Sequence, residues 1–336
     1  MIHSLCSAEV VLTLTDTFNS FIMDNVLSTA AKRRIALALT GDNAYAFKQL
    51  FKHHAGEILT RKVMSRRTGS NSFLKFLQRL VNIVMSVEEH LNPKQKDQLR
   101  EQYTRNICHA ATALSPVVLR EQISRGTSQT IRTPELPQST LVAIAAAVGN
   151  VQMLLHKISA STDILRAQSD FPNALDAAVA ANQKRMVDGM LKNILSKVKG
   201  PRESKSGTWD EMRAAATGVY NALLVAIRLH NHDVANMLIE FLAQNEALAQ
   251  SVAPMARREL HEACVSYRNV EFYGRALYYK QHRKWRLQDT NKAGGDSVIA
   301  TKDEVGYLLR RCSKWMLRRL IETKQLDAMT TLRLSS

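Results

Sequence analysis

NALLVAIRLHNHDVANMLI, residues 221–239, decides the fold. Ala, Leu, Val and Ile fill its first half, and a polar break, His230-Asn231-His232-Asp233, follows. Val234, Met237, Leu238 and, just beyond the stretch, Phe241 then recur at the i, i+3, i+4 spacing of one helix face. The stretch therefore reads as a helix, a short polar turn and a second helix. The same spacing is carried by Leu154, Leu155 and Ile158, while the period-two alternation of a half-buried strand is hard to find anywhere. With only 7 Pro and 13 Gly as punctuation, and good helix formers between them, the chain is expected to be all-α.

Self-similarity extends the reading outward from that stretch. ICHAATALSPVVL from Ile107, TLVAIAAAVGNVQML from Thr140, NALDAAVAANQKRMVDGML from Asn173 and RELHEACVSYRNVEF from Arg258 each start one helix and enter another. Aligned on small residues, Ala110, Ala145, Ala178, Ala226 and Ala263 stand 35, 33, 48 and 37 residues apart. The long interval contains KVKGPRESKSGTWDE, residues 197–211, whose Gly200-Pro201 and polar run read as an inserted surface loop, placed at about 197–219. A fixed period of helix pairs is the mark of a solenoid, because each pair alone cannot bury its own apolar face.

This pattern resembles the ankyrin-repeat family, whose unit is about 33 residues long with small residues in its first helix, a tight turn and an apolar second helix. Gly149-Asn150, Asn182-Gln183 and His230-Asn231 take the place of the family's Gly-His turn, and Gly and Asn tolerate the left-handed backbone that such a turn needs. Small side chains such as Ala178 and Ala226 let first helices approach. Met186, Val187, Met190 and Leu191, or Val234, Ala235, Leu238 and Ile239, fill the layer behind. The family's Thr-Pro-Leu-His opening survives only as Leu260-His261, and the Asp and Gly signals of its projecting hairpins are mostly missing. A helical-hairpin solenoid of another family gives similar periodicity.

The expected organisation is a helical N-terminal region over residues 1–106, an ankyrin-like array over 107–277, and a basic segment with a helical C-terminal cap over 278–336. Within the first region, ALALTGDNAYAFKQLF from Ala36 is a weaker echo of the repeat, and residues 69–104 are helical without one. The cap is the amphipathic stretch from Asp303 to Glu322, with Val305, Leu308, Leu309, Cys312, Met316 and Leu320 as its apolar stripe.

Composition bounds the function. The net charge of +16 favours acidic partners, whether nucleic acid, anionic membrane or an acidic protein. No window approaches the roughly 18 uncharged apolar residues of a membrane span. Cys6, Cys108, Cys264 and Cys312 lie far apart with neither disulfide-framework nor zinc spacing, and the first residues lack the basic start of a signal peptide. A soluble intracellular protein of the cytoplasm or nucleus is expected.

No phosphate-binding Gly-rich loop, nucleophile elbow, metalloprotease helix or paired acidic motif is found, so no enzyme, cofactor or small-molecule substrate is expected. His230-Asn231-His232 with Asp233 could be a metal site or a nuclease tripeptide, but its place between two helices favours a polar turn. His261 and Cys264, three apart on one helix, could form a zinc or nucleophile site. The plainer reading is a hydrogen-bonding His beside a small buried Cys. What remains is binding. On the resemblance, exposed positions of a concave face, Asp176, Arg228, Leu229, Val265 and Tyr267, would meet a protein partner, an acidic one by charge. The alternative is nucleic acid or chromatin. It would bind through Lys280, Arg283, Lys284, Trp285 and Arg286, where cations and aromatics sit together, with Arg310, Arg311 and Lys314 beyond.

Overall fold

A computed structural model describes residues 55–57, 59–64, 71–88, 92–115, 118–119, 122, 136–157, 164–165, 171–198, 207–245, 247–248, 254–267, 269–270, 272–273, 276, 320 and 322. About 83% of these are helical and none is in a strand. The echo at residues 36–51 and nearly all of the cap lie outside them. From the cap, Leu320 is buried, as its apolar stripe expects, and Glu322 is exposed.

The described helices belong to two compact units, Met1–Gln183 and Lys184–Ser336. In the first, α1 (Ser72–Met85) begins where the Asn71 side chain accepts a hydrogen bond from the Leu74 amide at 2.9 Å. It buries Phe73, Phe76, Leu77, Leu80, Val81 and Val84 along one stripe. α2 (Pro93–Ala111) starts on a reciprocal Asn92–Gln95 capping box with Pro93 in its first turn. Its buried residues, Tyr103, Thr104, Ile107, Cys108, Ala110 and Ala111, all lie in its second half. α3 (Gln138–Val148) is buried from Val142 through Val148, all round its axis, and packs against α1, α2, α5 (Ala174–Ala180) and α4 (Val151–Lys157). A helix so completely covered is central. Its Ala143, Ala145, Ala146 and Ala147 allow these neighbours to approach closely.

In the second unit α7 (Gly207–Arg228) packs against α6 (Lys184–Val198), α8 (His232–Gln244) and α9 (Pro254–Ser266). The apolar layer expected of α6 and α8 is in place, with Met186, Val187, Met190 and Leu191, and Val234, Ala235, Leu238 and Ile239 all buried.

Two sequence expectations need correction. The loop insertion at about 197–219 is mostly helix: Lys197 and Val198 end α6, and Gly207–Val219 is the first half of α7. Good helix formers, Glu211, Met212, Arg213 and three alanines, follow the Gly-Pro break, and Ala215, Ala216 and Val219 give that half a buried face. The expected boundary at residue 106 falls inside α2, so Ile107 does not start a helix but lies near the end of one.

Candidate functional site

The feature that recurs is a helix end. α3 closes on Gly149 at φ 76°, and the Asn150 amide donates back to the Ala145 carbonyl at 3.0 Å. α5 closes through Asn182 at φ 56°, with Gln183 N–H to Ala178 O at 2.8 Å. α7 closes through His230 at φ 57°, with Asn231 N–H to Ala226 O at 2.9 Å. These three are the left-handed residues among those described. Each turn adds the companion bond from the left-handed residue itself, to Ala146, Val179 and Ile227. The pairing is the Schellman arrangement, which satisfies carbonyls that a helix end leaves open. After α9 the Asn269 amide returns to the Cys264 carbonyl at 2.8 Å, the same span.

The acceptors Ala145, Ala178 and Ala226 are the residues aligned from sequence, and all are fully buried. In the last segment the equivalent is Cys264 rather than Ala263, a shift of one residue set by where α9 stops. α2 ends differently. Thr112, Ala113 and Leu114 donate to carbonyls three residues back, a 3₁₀-like finish without the five-residue return.

In the second unit the α7 turn brings several expected binding residues together. His230 Nε2–H donates to the Tyr267 carbonyl at 2.9 Å, and Asn269 Nδ2 donates to the Ile227 carbonyl at 2.9 Å. Arg228, Leu229 and Tyr267, all half-buried, therefore share one edge. Val265 does not belong to the exposed set: it is 4% exposed, because it follows His261 and Cys264 on the inward face of α9 at helical spacing. Asp176 lies in the other unit, half-buried in the first turn of α5, where Asn173 Nδ2 donates to its carboxylate at 2.9 Å and Asn173 Oδ1 accepts from its amide. Lys280, Arg283, Lys284, Trp285, Arg286, Arg310, Arg311 and Lys314 lie outside the described residues.

The His-Asn-His run is the turn expected of it. His232 opens α8, and its ring lies 5.9 Å from that of His230 and 5.5 Å from Phe272. Burial, and then the nearby His230, hold His232 below the ordinary imidazole range, although the Asp233 carboxylate opposes them. Asp233 pairs with Lys184 at the start of α6, and that hydrogen bond and charge hold its carboxyl below the usual range. Among the described residues no cluster of His, Cys, Asp and Glu gathers as a metal would need.

His261 is 2% exposed and shares a hydrogen bond with the Tyr273 hydroxyl at 3.2 Å. Cys264 is buried, and burial raises its thiol pKa well above the ordinary range, which suits packing rather than nucleophilic attack. Burial likewise pushes the Cys108 thiol up to about 12. Asn269, Phe272 and Tyr273, which hold this edge together, were not singled out in the sequence. The signal for them was an apolar-aromatic pair just past a helix end.

The first unit carries an open cleft of about 720 Å³ between α1, α2 and residues 63–64. Val63, Met64 and Val81 supply its apolar lining, and Asp97, Arg100 and Glu101 its charged one. Arg100 reaches across it to donate to Asn82 Oδ1 at 2.9 Å. Among the described residues no helix is long and apolar enough to cross a membrane. Compared with known proteins, the chain matches no family model, no curated protein and no solved structure.

Proposed function

We propose that this chain is a non-catalytic protein-interaction scaffold, an ankyrin-like solenoid of helix pairs whose edge around Arg228, Leu229 and Tyr267 meets an acidic partner inside the cell. The observation that carries the reading is the recurrence of one turn. Ala145, Ala178, Ala226 and Cys264 each accept the five-residue return bond, each is buried, and the residues between them fit one repeat length apart from the stretch before α7. Equivalent turns are what an array of stacked pairs uses to present equivalent loops along one side. A cationic, half-buried Arg228 beside Leu229 and Tyr267 has the make-up of a contact centre, since Arg and Tyr are favoured anchors. The net charge of +16 sets the sign of the partner.

The experiment is capture of cell proteins by the full chain, with and without nuclease, followed by mass spectrometry and repeated with Arg228→Glu. Acidic proteins retained after nuclease and lost with Arg228→Glu support the scaffold. The second reading, nucleic-acid binding through the basic segment from Lys280 to Arg286, rests on the same charge. It takes over if every partner disappears with nuclease and affinity for nucleic acid falls steeply with salt.

A further inference from the structure

The cleft of the first unit has a dry floor and a charged rim. Val63 and Val81 form the floor, at 4% and 2% exposure, and Gln78 Nε2 ties its two sides together by donating to the Val63 carbonyl at 2.9 Å. On α2 the rim residues Asp97, Arg100 and Glu101 follow one helix face at i, i+3, i+4. Every residue from Asn92 to Gln102 is exposed except the half-buried Leu99, so this half of α2 leaves the space between itself and α1 open. Met64 lines the same space at 46% exposure, one of three exposed large apolar side chains among the described residues.

The charges on this rim are not all spent within the chain. Arg100 Nη1 donates to the neutral Asn82 Oδ1, and Glu101 meets Arg105 at 3.4 Å in a pair whose two side chains are each 51% exposed, an arrangement that holds weakly. The Asp97 carboxylate makes no hydrogen bond or ion pair among the described residues. Two carboxylates and one guanidinium make the described rim negative, on a chain whose net charge is +16.

We propose that this cleft takes a peptide segment of a partner in which a lysine or arginine stands beside aliphatic side chains, the aliphatic groups on Val63 and Val81 and the cation on Asp97 and Glu101. This goes beyond the scaffold reading and does not depend on it, because it concerns the other unit and selects the opposite charge. The residue types on each wall match such a segment. The hydrocarbon stem of a lysine or arginine lies along apolar surface while its head stays at the wet edge, which is the order in which Met64 and the two carboxylates are offered. Methionine adapts its shape to different aliphatic neighbours. A carboxylate beside an apolar wall attracts a cation more strongly than one in open water. A free alkylammonium shares both features, but the cleft is open rather than enclosed, so a small amine stays wet where a chain running through it is anchored at several points.

The test is fluorescence anisotropy of the full chain with a labelled peptide of repeating Leu-Lys-Lys-Leu, at low and at physiological salt. A cationic peptide has no general attraction to a chain of charge +16, so its binding reports a local surface. Binding is expected, weaker at the higher salt. Asp97→Lys should weaken it about tenfold, Met64→Ser should weaken it several-fold, and a Gly-Lys-Lys-Gly peptide of the same length should bind several-fold less well. Should Asp97→Lys lose the helical circular dichroism of the wild type, Glu101→Gln carries the test with a several-fold loss. The proposal is overturned if the Leu-Lys-Lys-Leu peptide does not bind, if the folded variants bind it as the wild type does, or if the Gly-Lys-Lys-Gly peptide binds equally well. It is also overturned if octylammonium displaces the peptide at equal concentration, which makes the cleft a small-amine site instead.

Discussion

Gly149 and Gly189 both end up as alanine at little cost to composition, yet the structure gives the two substitutions opposite signs. At Gly149, φ is 76°, so alanine must adopt the left-handed conformation. That costs an L-residue about 1–2 kcal/mol. The new Cβ would also stand 2.7 Å from Gln183 Oε1, the far end of a flexible side chain that can rotate away, so sterics add little. Gly189 lies in the interior of α6, exposed, and a Cβ there meets nothing within 4 Å. Alanine in such a place gains about 0.8–1.0 kcal/mol from the lower backbone entropy of its unfolded state. The two variants should therefore differ by about 2–3 kcal/mol. Urea unfolding of the full chain, followed by circular dichroism at 222 nm, reads the effect as the midpoint. With a slope of about 2 kcal/mol/M, Gly149→Ala moves it down by about 0.5–1 M and Gly189→Ala moves it up by about 0.4–0.5 M. If the two units unfold separately, Gly149→Ala should act on the unit ending at Gln183 and Gly189→Ala on the other. A Gly149→Ala protein as stable as wild type would refute the left-handed cap, and a destabilised Gly189→Ala protein would mean that something packs against that face of α6.

Three further outcomes follow from the burial and hydrogen bonding of single side chains. Ala226→Leu adds a bulky side chain at a fully buried position and should destabilise by about 1–3 kcal/mol, whereas Ala214→Leu, exposed on the same helix, should stay within about 0.5 kcal/mol; paired urea titrations decide it. Asn269→Ala removes the donor to Ile227 O and the acceptor for the Phe272 amide in a buried place, for a loss of about 1–3 kcal/mol by thermal or urea unfolding. Cys108 and Cys264, buried and with raised thiol pKa, should resist a thiol-specific reagent at pH 8 in the folded chain and react fully in denaturant; fast labelling of either when folded would contradict the packing described here.

How much of this was legible depended on the range of the interaction. The left-handed positions could be read because backbone strain restricts residue choice locally: Gly149 and Asn182 are residues that accept it, and His230 was found by its place between two apolar runs. The apolar layer of α6 and α8 was legible for the same reason, since i, i+3, i+4 spacing is a local property. Val265 is buried rather than exposed: the concave face implied by the family resemblance does not fix which side of α9 points inward, whereas its i, i+4 spacing from His261 does. The start of α7 was missed because Gly200-Pro201 was extended too far as a break, past an alanine-rich run with its own buried face. The contacts of Tyr267, Asn269 and Phe272 with His230, Ile227 and His232 were not legible at all. Those partners lie some forty positions away in sequence, and no periodicity reports a contact of that separation.

The recurring turn also explains why equivalent helix ends here look so unlike one another in sequence. A five-residue return bond constrains one backbone dihedral pair and the room around one carbonyl, and little else. The acceptor must be small and dry, so Ala145, Ala178, Ala226 and Cys264 are alike in size and burial. The left-handed residue is not dry: Gly149 and His230 are half-buried and Asn182 is exposed, so their side chains are free to differ. His230 uses that freedom to reach the Tyr267 carbonyl, a contact that Gly cannot make, and Asn182 makes no corresponding bond to a later segment among the described residues. The quantity kept from turn to turn is therefore a hydrogen bond and a small volume, while the residue at the apex varies.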